Sequence, residues 1–210
     1  MRIRKYTIWV VLQFNLRGFP VNEIINLVTK SKYSLEKSLS KYWPVVNPEK
    51  NGLQEINLTM HIAAMALSNE MMIYPEASDN NTENGNKRVD LLVKGKVDNK
   101  PAFILFESKK LFSAEKAGEM VSDLEKMRNF KYVVSDVSTE NDTKGMDKYY
   151  VLLALTVSDD IKDWWCEPAQ YDMDNNDWDK LREKLLETDT KGFVDVNAMQ
   201  RQYVLYAVFR

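Results

Sequence analysis

The chain of 210 residues has a single cysteine, Cys166, and a single histidine, His61. One cysteine excludes an internal disulfide and points to a reducing compartment. One histidine excludes any multi-histidine metal centre. A bound cation must then rest on oxygen ligands, which selects Mg2+, Mn2+ or Ca2+ over Zn2+. Only seven glycines and six prolines are present, and no segment repeats, which excludes collagen-like and low-complexity architectures. Long apolar runs are also missing. The "YTIWVVLQF" stretch after the basic residues Arg2, Arg4 and Lys5 is too short to span a bilayer. Gln13, Asn15 and Arg17 follow it with no small-x-small cleavage site. Its β-branched and aromatic content reads as a strand or buried segment of a soluble, cytoplasmic protein with no membrane association.

What is present is the material of an ordinary globular domain, 44% hydrophobic and 29% charged, with enough length for one substantial core. The formal net charge is only −2, but it is unevenly spread. Residues 1–50 hold nine Lys/Arg against three Asp/Glu, and residues 136–190 hold six against fifteen. A local basic surface can serve a polyanion even when the total is acidic. On composition alone, solvated surface is the favoured reading of both regions.

Hydrophobic periodicity orders the chain. "PVNEIINLVTKSKYSLEKSLSKYW" is helical, with a break expected near Ser31 or Ser34 and an end at Pro44. "NGLQEINLTMHIAAMALSNE" is the strongest helix, apolar on most sides and therefore buried. "MMIYPEA", "RVDLLVKGK" and "PAFILFESKK" read as three strands of an antiparallel meander, with "SDNNTENGNK" as a loop and "VDNKP" as a turn. Ser113 caps a helix to about Phe130, with Ala117, Met120, Val121, Leu124 and Met127 as its buried face. "KYYVLLALTV" is a continuous apolar strand, central in the sheet. "NNDWDKLREKLLE" is a helix and "RQYVLYAVF" a last strand. The expected class is α/β, a mixed sheet flanked by helices.

The stretch "FILFESKK" places a carboxylate and two ammonium groups at the tip of a strand that otherwise looks buried. Alternation sends Glu107 and Lys109 one way, and Ser108 and Lys110 the other. On the preceding strand Asp90 interrupts "RVDLLV". If the strands are hairpin neighbours, Asp90 and Glu107 meet at one edge of the core. Two adjacent carboxylates repel and both lose solvent, a cost that Mg2+ or Mn2+ removes by coordinating both. A carbonyl beside the second carboxylate, that of Ser108, commonly completes such a site. Lys109 is placed to stabilise an anion or position a nucleophile, which suits phosphodiester hydrolysis.

"RVD", followed after sixteen residues by "ESK", resembles the PD-(D/E)xK nuclease superfamily, the restriction-endonuclease-like fold. Val89 stands where the motif has proline. The resemblance covers residues 52–157 and implies a core of helix, three-strand meander, helix and strand. Residues 1–51 would be a basic helical extension, and 158–210 a helix and strand packed on the core. It implies Asp90 and Glu107 as metal ligands and Lys109 as the catalytic lysine. Glu55 matches the glutamate many members carry on the first core helix, with Glu70 a second match. Lys116 is the nearest candidate for the residue some subfamilies use on the following helix. A metal-dependent nuclease acting on DNA is the expected function. Lys32, Lys37, Lys41 and Lys110 would contact phosphates, and a homodimer or a protein partner is compatible with the pattern. The rival is a catalytically inactive module of the same fold that binds nucleic acid or a protein.

Plainer readings compete for individual residues. Glu107 and Lys109 can be a surface ion pair, and Glu55 can simply favour the positive end of its helix. Glu115, Glu119 and Asp123 read as the wet face of their helix, and His61 as a core or boundary residue. Trp164 and Trp165 either mark a partner surface or pack over the sheet. Nothing near Cys166 makes it a nucleophile. Asp172, Asp174 and Asp177 lack the glycine and final glutamate of a calcium loop.

Overall fold

The computed structural model describes residues 21–42, 53–78, 88–130, 145–171, 173–197 and 201–210. The expected strand at 6–14, residues 79–87 of the expected loop and Asp172 lie outside these. The order is α1 (Asn22–Tyr42), α2 (Glu55–Ser68), β1 (Met72–Ser78), β2 (Arg88–Val97), β3 (Lys100–Lys110), α3 (Ala114–Arg128), β4 (Asp147–Thr156), α4 (Asp159–Cys166), α5 (Asn176–Leu186), β5 (Thr190–Asn197) and β6 (Arg201–Phe209). Among the described residues six strands form one mixed sheet in the order β1-β2-β3-β4-β6-β5. Only β3 and β4 pair in parallel, and α3 makes the crossover between them. The sheet is therefore α/β as expected.

Each face of the sheet has its own core. Leu91, Val93, Ile104, Phe106, Val151 and Leu153 point with α1 and α2 into one. Val89, Leu92, Phe103, Leu105, Leu152 and Ala154 point with α3, α4 and α5 into the other. Burial on both faces is why β3 reads as an unbroken apolar run, with every residue from Ala102 to Ser108 buried. The β2–β3 connection is the two-residue turn Asp98-Asn99, both at positive φ (50° and 62°), the geometry whose twist suits a tight hairpin. Glu23 accepts the Asp98 N–H at 3.2 Å, anchoring the start of α1 there.

Several expectations need correction. The helix at 22–42 has no break: Ser31 Oγ donates to the Val28 carbonyl at 2.7 Å within the turn, and Ser34 Oγ lies 2.7 Å from His61 Nδ1 on α2. The segment 158–210 holds more than one helix and one strand. It adds α4 and α5 and extends the sheet by β6 and β5. Trp164 and Trp165 are fully buried, so they form no partner surface. Trp165 Nε1 donates to the Tyr206 carbonyl at 3.0 Å, and Trp164 packs edge-on against Trp178. Trp164→Ala is expected to cost about 3–5 kcal/mol of stability in urea denaturation. An effect within ~0.5 kcal/mol would mean that the ring is not part of the core.

Candidate active site

The site lies where β3 ends. Pairing between β2 and β3 reaches Leu91 and Phe106, and one step further come Asp90 and Glu107. Because the backbone ladder stops there, the Asp90 side chain serves the strand tip instead. Its Oδ2 accepts the Ser108 N–H at 2.9 Å and the Ser108 hydroxyl at 2.8 Å. Ser108 Oγ also lies 3.0 Å from Thr59 Oγ1, which donates to the Glu55 carbonyl at 3.1 Å. Glu55 is the first residue of α2, and its Oε1 accepts the Lys110 N–H at 2.6 Å. These bonds tie the tip of β3 to both β2 and α2. Glu70 is remote from them, exposed and just past the far end of α2.

Glu107 and Lys109 turn to the opposite face, toward α3. Glu107 is 3% exposed. Lys126 Nζ stands 2.5 Å from its Oε1 and 3.0 Å from Asp123 Oδ1. Lys109 Nζ lies 3.3 Å from Asp123 Oδ2 and 3.5 Å from Glu119 Oε2, and Lys116 Nζ 2.6 Å from Glu119 Oε1. Charges therefore alternate from Glu107 through Lys126, Asp123, Lys109 and Glu119 to Lys116. Two expectations change. Glu119 and Asp123 are not a solvated face, because they hold Lys109. The α3 lysine that reaches the carboxylates is Lys126, while Lys116 is held by Glu119. Residues 116, 119, 123 and 126 recur at helical spacing beside the buried stripe of Ala117, Met120, Leu124 and Met127. That spacing is the signal in the sequence that could have found Lys126, which the sequence reading missed.

Burial, reinforced by the Asp90 charge, pushes the Glu107 carboxyl up to about 8 against the pull of Lys126. For Lys109, burial works to lower the pKa, but Asp123 and Glu119 outweigh it and raise it. The balance at Lys126 is the same, with Glu107 and Asp123 prevailing over burial. Both lysines are thus held as ammonium groups, suited to stabilising an anion rather than taking a proton. Lys126→Met should destabilise the fold by roughly 2–4 kcal/mol at a pH above that of Glu107 ionisation. The loss should shrink where Glu107 carries its proton. Urea denaturation at the two extremes measures this, and an equal loss at both would rule out a charge effect.

The donor set suits a hard divalent cation. Glu107 presents a buried carboxylate there, with Lys126 Nζ 2.5 Å from its Oε1. Asp90, whose charge raises the Glu107 pKa from the neighbouring strand, supplies a second carboxylate, and both present oxygen alone. Among the described residues, no group of three or more His, Cys, Asp or Glu side chains is arranged to hold a metal. Any further ligands would have to be backbone carbonyl or water.

Of the lysines expected to meet phosphate, Lys32 pairs with Glu36 at 3.7 Å, while Lys37 and Lys41 are exposed. Glu36 accepts the Asn197 N–H at 2.7 Å. Asn197 opposes Arg201 at the start of β6, beside the end of β4. The second half of α1 therefore lies at the same end of the sheet as the carboxylates. Lys110 is half-buried at the tip of β3. Cys166 is also half-buried, and burial raises its thiol pKa, so it is no nucleophile. No helix among the described residues is long and apolar enough to cross a membrane.

In comparison with known proteins, no family model matches the chain, and no curated protein or solved structure does.

Proposed function

We propose that the chain is a metal-dependent nuclease with a restriction-endonuclease-like core, acting on DNA in a reducing compartment. The observation that carries this reading is the pair of carboxylates that Asp90 and buried Glu107 bring to the tip of β3 from neighbouring strands, near enough for the Asp90 charge to raise the Glu107 pKa, with Lys126 and Lys109 on the Glu107 face and Glu55 tied to the Lys110 N–H. The order α2, β1–β3, α3, β4 supports it further. Asp90, Glu107 and the Ser108 carbonyl would hold Mg2+ or Mn2+. When bound, the ion acidifies a water and neutralises charge on the phosphate. Lys109 and Lys126 stabilise the charge that builds on the phosphate during attack. Glu55 fixes the strand tip through the Lys110 N–H and orients solvent there. Lys37, Lys41 and Lys110 supply phosphate contacts, which position DNA without reading its sequence.

A second reading has its own support: Lys126, 2.5 Å from Glu107, already does the neutralising work of a cation. The chain would then be an inactive member of the same fold that binds nucleic acid or a protein. Incubating supercoiled plasmid and single-stranded DNA with Mn2+, Mg2+ or EDTA separates the two. Metal-dependent cutting lost in Asp90→Asn and Lys109→Ala supports the nuclease. Absence of both cutting and metal binding supports the inactive module.

A further inference from the structure

We propose that the groove at the carboxyl ends of β3 and β4 seats an unpaired nucleobase, so that the chain engages DNA as a single strand; this rests on the nuclease reading. The two parallel strands leave the sheet in the same way. After β3 the chain passes Phe112 to Ser113, which caps α3, and after β4 it passes Val157 to Ser158, which caps α4. Phe112 and Val157 therefore occupy equivalent positions, each just before a serine cap. An apolar residue there ordinarily folds back onto the first turn of its helix. Neither does: Phe112 is 67% exposed and Val157 66%, matched among large apolar side chains of the described residues only by Tyr33. Among the described residues, no packing role explains their exposure.

Between them lies a groove of about 390 Å3, also lined by Lys110, Leu155, Thr156 and Gln202, within the size range of ligand clefts. Its chemistry matches one nucleotide. Phe112, Val157 and Leu155 offer an apolar slot for a ring face. Thr156 Oγ1 accepts the Ser158 N–H at 3.2 Å, which leaves its own hydrogen to donate, and the Gln202 amide both donates and accepts. These groups can meet the edge of a base. Among the described residues no acid pairs with the Lys110 ammonium, whose charge complements a phosphate. Lys110 also joins the groove to the candidate site, since its N–H is the group held by Glu55. In a duplex the base faces are already stacked, so only an unpaired base can lie against Phe112.

The test is fluorescence anisotropy of a short labelled single strand, and of the same sequence as a blunt duplex, in EDTA so that nothing is cut. Phe112→Ala should weaken the single strand about tenfold, as expected from the loss of one base–aromatic stack, and leave the duplex unchanged. Phe112→Trp should restore affinity, with its fluorescence quenched by the oligonucleotide. Phe112 is exposed, so neither variant threatens the fold. Equal weakening on both substrates, or none on the single strand, overturns the subsite. If wild type cuts DNA yet Phe112→Ala binds the single strand normally, the subsite alone is wrong. If wild type neither cuts nor binds, the nuclease reading fails with it.

Discussion

Asp90→Asn should abolish metal-dependent DNA cleavage, with a loss of at least ~10²–10³-fold, the scale for removing one preorganised electrostatic group from a reacting centre. The substitution isolates charge from architecture. Asp90 Oδ2 accepts the Ser108 N–H at 2.9 Å and the Ser108 hydroxyl at 2.8 Å, and an amide oxygen can accept both. The strand tip should therefore stay in place while the second carboxylate disappears. Removing the Asp90 charge also relieves one of the two main effects that hold the Glu107 carboxyl at about 8, so Glu107 should ionise at lower pH. The variant should thus be folded, no less stable near neutral pH, weak in Mn2+ binding and inactive. Plasmid nicking, metal titration and a denaturation curve read these separately. A variant that cuts like wild type would sink the proposal that Asp90 is a ligand. A variant that is inactive only because it is unfolded would show that the Ser108 bonds are needed for the tip to fold.

The second large effect concerns pH. The Glu107 carboxyl is raised from an ordinary 4.5 to about 8, first by burial and then by Asp90. A carboxyl raised in the folded state binds its proton more tightly there than when unfolded. Its contribution to stability is therefore complete below about 4.5 and is lost as pH rises toward 8. Roughly 3–5 kcal/mol would be lost across that window. Glu107→Gln should flatten this slope, since the amide cannot ionise. It leaves Lys126 with Asp123 at 3.0 Å, so no buried ammonium is stranded. Mn2+ added to wild type above the transition should recover part of the loss, because a cation bound to the folded state stabilises it. Urea denaturation across the window, with and without Mn2+, provides the measurement. A wild-type curve as flat as that of Glu107→Gln would mean that Glu107 is ionised without cost and that the burial argument is wrong.

Much of the framework was legible in the residues. Short apolar runs bounded by loop and turn signals identified the meander, and a continuous apolar run identified β4, because two-sided burial leaves a direct trace in sequence. Ser113 was legible as a cap, and its side chain does accept the Lys116 N–H of its own first turn. The elements α4 and β5 were not read. The first is only eight residues long, with Trp164 and Trp165 just before its last residue, and the second is an edge strand interrupted by Gly192. Neither has enough length or alternation to stand out from loop. The suspected break in α1 was a misreading of serines: Ser31 and Ser34 satisfy their hydroxyls within the turn and across to His61, at no cost to helix continuity.

For the candidate site, the sequence by itself determined which carboxylates lie at the end of the core. Asp90 and Glu107 each interrupt an apolar strand, and hairpin pairing then puts them in register. It also determined that Glu107 and Lys109 leave β3 on one face and Ser108 on the other, since alternation has no alternative. What the ammonium groups face was decided only by the tertiary structure. Lys109 could meet water, phosphate or acid, and the docking of α3 delivers Asp123 and Glu119 to it. The same docking brings Lys126 to Glu107 across nineteen positions of sequence. It also turned the expected wet face of α3 into the partner of the strand tip. Long-range charge pairing depends on where a helix lands on a sheet, and that is set by the fit of Ala117, Met120, Leu124 and Met127 against the core, not by the charged residues themselves.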